Sequence, residues 1–309
     1  MAFASGSQAR LAYVPETTFN VTPASPQLTE LPKQSYTLGI TKELITDPTI
    51  TSDRLQAEDR HGNLTVGGDL VVTLRHGVYD SLLEAAVQGT WTSNVLKNGT
   101  LGQSIVPRSF TFEKGFTDVG KYEQYTGVRI NTFNLEINPG SICTATFGTL
   151  GAGAALSATP LDATVPAATG SSNRAMSHVG GTISVGGTSA ICTACTINID
   201  NGMSSAWAIG SNTAKDVVSA ESIVTGSATF YIESDLTKFN YFLNETTTTM
   251  SVQVTDGTNS YTILIPAVKF NSADTPVSGS GLLFMTVNWK ASKDATTGAS
   301  IQITRTPIV

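Results

Sequence analysis

The feature that most constrains the fold of this chain is an internal repeat. Three segments of the first half recur in the second half in the same order, at spacings of 160, 158 and 157 residues. The paired segments are 36–40 with 196–200, 66–74 with 224–232, and 79–87 with 236–244. In each half, a strand-like alternation of apolar residues precedes a helix-like stretch. The repeat predicts two tandem copies of one β-rich unit. Because two similar domains can take successive places in a ring, the repeat favours a role in ring assembly over an enzymatic role.

Turn residues and composition divide the chain into four predicted parts. Four prolines interrupt residues 1–35, which indicates an extended N-terminal arm. Residues 36–150 form the first predicted β unit, and residues 151–180 form a linker rich in Ala, Gly, Ser and Thr. Residues 181–309 form the second unit. The predicted fold is therefore mainly β, with two similar sandwich or barrel domains.

Each predicted unit also carries one flanking helix and a long polar loop. The first helix has an apolar stripe between residues 82 and 87, with Asp80 as its predicted N-cap and Gly89 as its predicted stop. The polar loops span 41–63 and 203–221, and loops of this length are usually functional or disordered. A last strand is expected near the C-terminus, across 301–308.

Composition limits the classes of function. The chain has 309 residues, enough for about two domains, and only 14% of them are charged. A formal net charge of −6 argues against a basic surface that grips nucleic acid. The opening residues do not resemble a secretory signal, and no apolar run reaches the ~18 residues of a membrane span. We therefore expect a soluble product without membrane insertion.

The residues of catalysis and metal binding occur without a recognisable arrangement. His61, His76 and His178 stand in no triad or metal-ligand spacing. Cys192 and Cys195 form a single Cys-x-x-Cys without a second ligand pair, and the odd total of three cysteines argues against a disulfide framework. We predict no enzyme activity, no catalytic or metal site and no cofactor.

A run of mixed charge stands out in the first polar loop. It contains Asp53, Arg54, Glu58, Asp59 and Arg60. The run lacks the regular oxygen ligands and central glycine of a calcium loop. Two interpretations stay open: a solvated loop, or charges that meet complementary ones on a neighbouring subunit and set register and specificity.

Several motifs resemble those of one protein family. They are RLAYVPETTFNVTP at 10–23, DR at 53–54, GN at 62–63, VGGDL at 66–70, YDSLLEAA at 79–86 and GTW at 89–91. Together they resemble the tail tube proteins, or major tail proteins, of long-tailed, siphophage-type bacteriophages and prophages. The resemblance covers residues 10–150, and the second unit joins it through the repeat.

The resemblance implies a structural virion protein. Tail tube domains join strands between subunits into a β-barrel ring, and the rings stack into a hollow tube through which double-stranded DNA passes without specific binding. The lumen of such tubes tends to be acidic, which repels DNA from the wall. The expected partners are other copies of the chain, a tape-measure protein and tail terminator or initiator proteins. The expected location is the virion tail, assembled in the host bacterial cytoplasm.

The repeat and the resemblance together predict how the ring is built. Six tube domains normally close the ring, so three chains with two domains each would form a homotrimer with pseudo-sixfold symmetry. By the same resemblance, the arm and the long loop contact neighbouring subunits or rings. The candidate contact residues are Phe3, Arg10, Tyr13, Phe19, Asp53, Arg54, Glu58, Asp59 and Arg60. Deleting residues 1–20 is expected to leave soluble protein and to stop tube growth.

Three other classes of protein compete with this interpretation. A head decoration or tail-completion protein shares the low charge and β-rich pattern but would not stack indefinitely. A secreted β-sandwich binding module would need a secretion signal and an aromatic binding face. An enzyme, such as a tail-associated hydrolase, would need convergent ionisable groups, and none is recognisable in the sequence.

Overall fold

The structure is a computed structural model, and it describes residues 3–50, 52–99, 105–233, 237–277 and 279–306. Among these residues the chain forms twenty β-strands, two α-helices and one short 3-10 helix at Gly6–Gln8. The α-helices are α1 (Asp80–Val87) and α2 (Thr237–Leu243). The strands are β1 (Ala9–Pro15), β2 (Thr29–Glu30), β3 (Ser35–Tyr36), β4 (Gly39–Ile45), β5 (Arg60–Thr73), β6 (Val95–Lys97), β7 (Phe110–Phe116), β8 (Lys121–Ile137), β9 (Thr144–Gly151), β10 (Gly153–Ser157), β11 (Ser177–Val185), β12 (Thr188–Ser189), β13 (Cys192–Asp200), β14 (Ser204–Ala206), β15 (Asp216–Val218), β16 (Ile223–Tyr231), β17 (Thr248–Thr255), β18 (Ser260–Asp274), β19 (Phe284–Ala291) and β20 (Gln302–Arg305). The prediction of a mainly β fold is confirmed.

The first half of the chain contains an antiparallel sheet section in the order β4–β5–β9–β8. Its side chains alternate between a buried and an open face, because successive residues of a strand point to opposite sides of the sheet. On β5, Leu64, Val66 and Leu70 are buried, whereas Thr65 and Asp69 are exposed. This strand therefore lays one apolar side on the core and turns a polar side away from it.

The second half contains a section with the same connectivity, in the order β13–β16–β19–β18. Strand β13 also pairs with the C-terminal part of β8. The two sections therefore join edge to edge. The result is one eight-stranded antiparallel sheet in the order β4–β5–β9–β8–β13–β16–β19–β18.

A second layer of strands covers the apolar side of this sheet. The N-terminal part of β8 pairs with β7 and β10, and β7 pairs with β1. In the second half, the N-terminal part of β18 pairs with β17, and β17 pairs with β11. One hydrophobic cluster joins both layers and both halves, and α1 packs five side chains into it or beside it: Leu82, Leu83, Ala85, Ala86 and Val87.

The strand registers of the two halves also agree. Gly68 lies opposite Thr149 in the β5–β9 pair, and Gly226 lies opposite Trp289 in the β16–β19 pair. The two glycines stand at equivalent positions of the sequence repeat. Their partners, Thr149 and Trp289, lie closer together in the sequence than the two glycines do. The insertion that causes this difference lies after the helix of the first half. The repeat is therefore a repeat of pairing register as well as of strand order.

One side-chain hydrogen bond occurs at the matching place in each half. The Asp69 amide donates to the Thr37 hydroxyl at 2.9 Å, and the Ser227 amide donates to the Thr196 hydroxyl at 3.1 Å. The structure therefore aligns Thr37 with Thr196, whereas the sequence alignment of 36–40 with 196–200 matches Thr37 to the next residue, Ile197.

The division into domains at 36–150 and 181–309 stays a prediction.

Two segments expected outside the β units contain strands that pair within the folded layers. In the expected arm, β1 pairs with β7 along its whole length, and Leu11 is fully buried. In the expected linker, β10 pairs with β8, and β11 begins at Ser177. The closely spaced prolines and the small residues conceal these strands in the sequence. The pairing of β10 with β8 requires a small residue at Gly153, because a Cβ atom there would lie 2.5 Å from the Thr126 hydroxyl oxygen.

The ends of several predicted elements differ from the structure. Tyr79, and not Asp80, occupies the N-cap of α1, and the left-handed residue after the helix is Gln88 (φ 55°), not Gly89. The polar loop expected at 41–63 is shorter, because β4 continues to Ile45 and β5 begins at Arg60. The strand expected at 301–308 is β20. Residues 236, 307 and 308 of the predicted elements lie outside the described residues.

Candidate functional site

The open side of the eight-stranded sheet is a regular surface that runs across both halves of the chain, and we name it the polar face. On β13, Ile197 and Ile199 point into the core, so Thr196, Asn198 and Asp200 lie on the polar face. The pairing registers extend this face over all eight strands. Its members include Thr41, Thr65, Asp69, Thr132, Asn134, Glu136, Thr144, Thr146, Thr225, Ser227, Thr229, Ser272, Asp274, Thr286, Asn288 and Lys290.

Hydrogen bonds between neighbouring strands tie these polar side chains together. The hydroxyls of Thr196 and Ser227 lie 2.9 Å apart, and those of Thr229 and Thr286 lie 3.1 Å apart. Such cross-strand pairs add to sheet stability and use up donors and acceptors. Where these pairs occur, the polar face offers few unsatisfied groups to a passing polymer.

The junction between the two sheet sections carries a further pair of this kind. The Asn134 side-chain amide donates to the Asn198 side-chain oxygen at 2.5 Å. These two residues lie directly opposite each other in the β8–β13 ladder. Polar side chains therefore cross the junction without a break in the polar face.

Charge on the polar face is sparse, and its carboxylates outnumber its lysines. Four carboxylates lie on it: Asp69, Glu136, Asp200 and Asp274. Two lysines, Lys269 and Lys290, lie opposite each other at the β18–β19 end. An aromatic pair, Tyr231 and Phe284, stands at the end of the β16–β19 ladder with ring centroids 5.1 Å apart. Most of the face thus consists of uncharged hydroxyl and amide groups.

The predicted contact residues of the N-terminal segment have different environments. Phe3 is 87% exposed. Arg10 forms an ion pair with the buried Glu113 at 2.9 Å, and Tyr13 is buried between Phe110 and Phe112.

Phe19 is partly buried beneath the guanidinium of Arg129, whose central carbon lies 4.6 Å from the ring centroid. Contacts within the chain therefore account for the placement of Arg10, Tyr13 and Phe19. The role of these residues in subunit contact stays a prediction.

Four of the predicted contact residues of the charged loop lie on the connection between β4 and β5, and Arg60 is the first residue of β5. Asp53, Arg54, Glu58 and Arg60 are exposed, and Asp59 is partly buried. The Asp59 carboxylate accepts a hydrogen bond from the Gln56 side chain at 3.0 Å. The loop follows the edge strand β4, which places its charges beside the end of the sheet. Their role in subunit contact also stays a prediction.

The three cysteines are free thiols. Burial raises the pKa of Cys143 to about 11 and raises the pKa of Cys192 and Cys195 as well, so the reactive thiolate is disfavoured. His76 is buried against the ring of Tyr261, and its Nε2 lies 3.1 Å from the Thr306 carbonyl oxygen. Within the described parts of the chain, no group of three or more His, Cys, Asp or Glu side chains is placed to hold a metal ion.

One polar cluster that sequence reasoning missed links the two halves. Asp80 at the start of α1 pairs with Arg305 of β20 and accepts a hydrogen bond from the Tyr261 hydroxyl of β18. Burial and the nearby Asp80 carboxylate raise the pKa of Tyr261. No local pattern could have revealed contacts between residues so far apart in the chain. Sequence reasoning did not identify the polar face either, although Thr, Ser and Asn alternate with apolar residues along its strands.

Comparisons with known proteins agree with this architecture. A family model described as phage tail tube protein matches residues 6–291, which extends the likeness across both sheet sections. A comparison with curated proteins finds no match. Neither helix of the described chain is long and apolar enough to cross a membrane. With the match spanning nearly its whole length, the chain belongs to the phage tail tube protein family, a family of structural virion tail components that assemble with copies of themselves.

Proposed function

We propose that three copies of this chain close into a ring and that these rings stack into the tail tube of a siphophage-type virion. The observation that carries the proposal is the eight-stranded sheet built from two sections of equal strand order. Three such sheets joined edge to edge would give a barrel of 24 strands in six similar sections. Closing a sheet in this way removes exposed strand edges, which otherwise invite uncontrolled aggregation.

The polar face supplies the wall of the proposed channel. The helices and the second layer of strands cover the other side of the sheet, so the polar face is the side left to enclose a lumen. Some of its hydroxyl and amide groups bond to one another across neighbouring strands, and its carboxylates outnumber its lysines. Double-stranded DNA would be repelled weakly, over a Debye length of about 8 Å at physiological salt, and would pass without a specific contact.

The remaining predicted roles extend the same proposal. The exposed residues 3–8 and the charged loop would contact adjacent subunits or the next ring. A tape-measure protein and tail terminator or initiator proteins would set the length and the ends of the tube. Assembly would take place in the bacterial cytoplasm, and the tube would then conduct DNA during ejection. The proposed role is structural and involves no enzyme activity.

Electron microscopy of the purified protein at increasing concentration tests the proposal. We expect stacked rings with true threefold and approximate sixfold symmetry. Rings of six identical chains would support a tube and contradict the trimer. Closed rings that do not stack at any concentration or salt would instead favour a head decoration or tail-completion protein.

A further inference from the structure

We propose that the ring closes through antiparallel pairing of β4 of one copy with the C-terminal part of β18 of the next copy, in the register of the β13–β8 junction inside the chain. The inference rests on the proposed ring and goes further, because it names the two edges and the residues that face each other. The partner is a second copy of this chain.

The junction inside the chain provides the template. Strands β13 and β8 pair through a continuous ladder, with Asp200 opposite Thr132, Ile199 opposite Phe133 and Asn198 opposite Asn134. Ile199 is only 1% exposed, because β8 covers it on one side and β16 on the other. The chain therefore already contains one join between two similar sheet sections.

Strand β4 occupies the position in the first section that β13 occupies in the second. Ile40 pairs with Val66 on β5, and Ile199 pairs with Val224 on β16. Val66 and Val224 are corresponding residues of the internal repeat. Ile40 is thus the counterpart of Ile199, and β4 presents the edge that β13 uses to join β8.

The C-terminal part of β18 corresponds to the C-terminal part of β8, which pairs with β13. The pairing register shifts at corresponding positions of both strands. The shift lies between Ile130 and Thr132 on β8 and between Phe270 and Ser272 on β18. Thr132 lies opposite Gly148, and Ser272 lies opposite Asn288, which agrees with the alignment of β9 and β19 in the two halves. Ser272, Ala273 and Asp274 therefore correspond to the residues of β8 that receive β13.

Both edges are open in a single chain. Within the described residues, β4 pairs with β5 alone, and the part of β18 after Val268 pairs with β19 alone. Ile40 is 47% exposed, whereas its counterpart Ile199 is buried. An exposed apolar strand edge is a liability for a soluble protein unless another strand covers it. A second copy offers the strand edge that matches it.

The template fixes the register of the new pairing. Thr41 would lie opposite Ser272, Ile40 opposite Ala273, and Gly39 opposite Asp274. Pro276 has no backbone N–H to donate, so the ladder is expected to end beside it. Ile40 would gain a neighbouring strand on its exposed side and become buried, as Ile199 is.

Disulfide trapping between two different variants tests the edges and the register. One protein carries Thr41→Cys and the other carries Ser272→Cys, and they are mixed under mild oxidation. Directly opposed residues bring their Cβ atoms within disulfide range. We expect disulfide-linked dimers in the mixture and at least fivefold fewer in either variant alone. Thr41→Cys mixed with Asp274→Cys is the slipped-register control, and we expect at least fivefold fewer dimers there too.

Two outcomes would overturn the inference. One is equal or better trapping in the slipped-register mixture, and the other is efficient trapping of Thr41→Cys with itself. Electron microscopy of the same samples separates this inference from the proposed function. Rings without the 41–272 disulfide would refute the pairing and leave the tube standing. The disulfide without rings would support the pairing and refute ring closure, and the loss of both would refute both.

A substitution without cysteine provides a second test. Ile40→Lys places a charge at the position that the junction would bury, so we expect ring formation to fall at least tenfold while the monomer keeps its circular dichroism spectrum. Ile209→Lys is the matched control, because Ile209 is fully exposed outside both edges. Normal rings from Ile40→Lys would contradict the pairing.

Discussion

Gly226 is a single residue on which the packing of two strands depends. A Cβ atom added there would lie 2.1 Å from the Thr196 carbonyl oxygen and 2.4 Å from the ring of Trp289. Neither group can move freely, because the carbonyl belongs to the β13–β16 ladder and the indole is 1% exposed. We predict that Gly226→Ala lowers the free energy of unfolding by about 2 kcal/mol, in the range of overpacked cores.

Chemical denaturation followed by Trp fluorescence measures this effect. Gly281→Ala is the matched control, since a Cβ atom there would meet nothing within 4 Å. We expect the control to change the midpoint little. An equal loss of stability in both variants would show that the close approach at Gly226 does not set the cost.

Cys143 should make stability depend on pH in the alkaline range. Burial raises the pKa of its thiol to about 11, against about 8.5 in an unfolded chain. The folded chain therefore keeps the proton after the unfolded chain has lost it, so its stabilising effect is complete below about pH 8.5 and is lost as pH rises towards 11. As the pH rises from 7 to 10, this thiol should lower the free energy of unfolding by about 2 kcal/mol.

Comparison with Cys143→Ala isolates the contribution of that thiol. Other groups with raised pKa values, including Tyr261 and Cys195, titrate in both proteins and cancel in the difference. We expect the loss of stability between pH 7 and pH 10 to be about 2 kcal/mol smaller in the variant. Parallel pH profiles for the two proteins would refute the assignment.

At the scale of elements, the structure changes the expected effect of an N-terminal truncation. Deleting residues 1–20 removes β1, which pairs with β7 and contributes the buried Leu11 to the core. We now expect this deletion to unfold the first half instead of leaving a soluble, folded chain. Deleting only residues 1–8 keeps β1, and residues 3–8 are exposed. The shorter deletion is the one that can test the arm as an assembly contact.

The two truncations give separable results. For the 1–8 deletion we expect an unchanged thermal unfolding midpoint and at least tenfold fewer long tubes by electron microscopy. For the 1–20 deletion we expect insoluble protein or a midpoint lowered by more than 10 °C. Tubes of normal length from the shorter deletion would remove the start of the chain from the proposed contacts.

At the scale of the whole molecule, the balance of charge on the polar face should decide whether DNA passes or binds. Glu136 and Asp200 lie on this face beside the junction of the two sheet sections. Replacing both with Lys would add positive charge at every such junction of a tube. We predict that Glu136→Lys/Asp200→Lys tubes retain double-stranded DNA at ~50 mM salt and release it at ~500 mM, because phosphate contacts weaken steeply with salt.

A variant with the same change of charge elsewhere controls for net charge. Asp118 and Glu245 are exposed on turns outside the polar face. Asp118→Lys/Glu245→Lys tubes should retain at least tenfold less DNA than the polar-face variant in a fluorescence pull-down. Equal retention by both would show that total charge, and not the lining of a lumen, governs the behaviour.

Much of the architecture follows from patterns that are local in the sequence. Alternation of apolar and polar residues predicts the long strands β5 and β8, and the helical stripe predicts α1, because each pattern reflects which side of one element meets the core. The constant spacing of the repeat predicts the match between Gly68 and Gly226 before any contact is known. The polar face also follows from alternation, once the strands are known to form one sheet.

Local patterns of residues therefore predict the mainly β fold, the first helix and a repeat in the sequence. Three features emerge only once the chain is folded: β1 and β10 belong to the sheets, β13 joins β8, and Asp80 meets Arg305. Pairing between distant strands leaves no local trace, since any strand edge offers the same backbone donors and acceptors. The partner of an edge is chosen by register and packing across the whole sheet, which no single segment encodes.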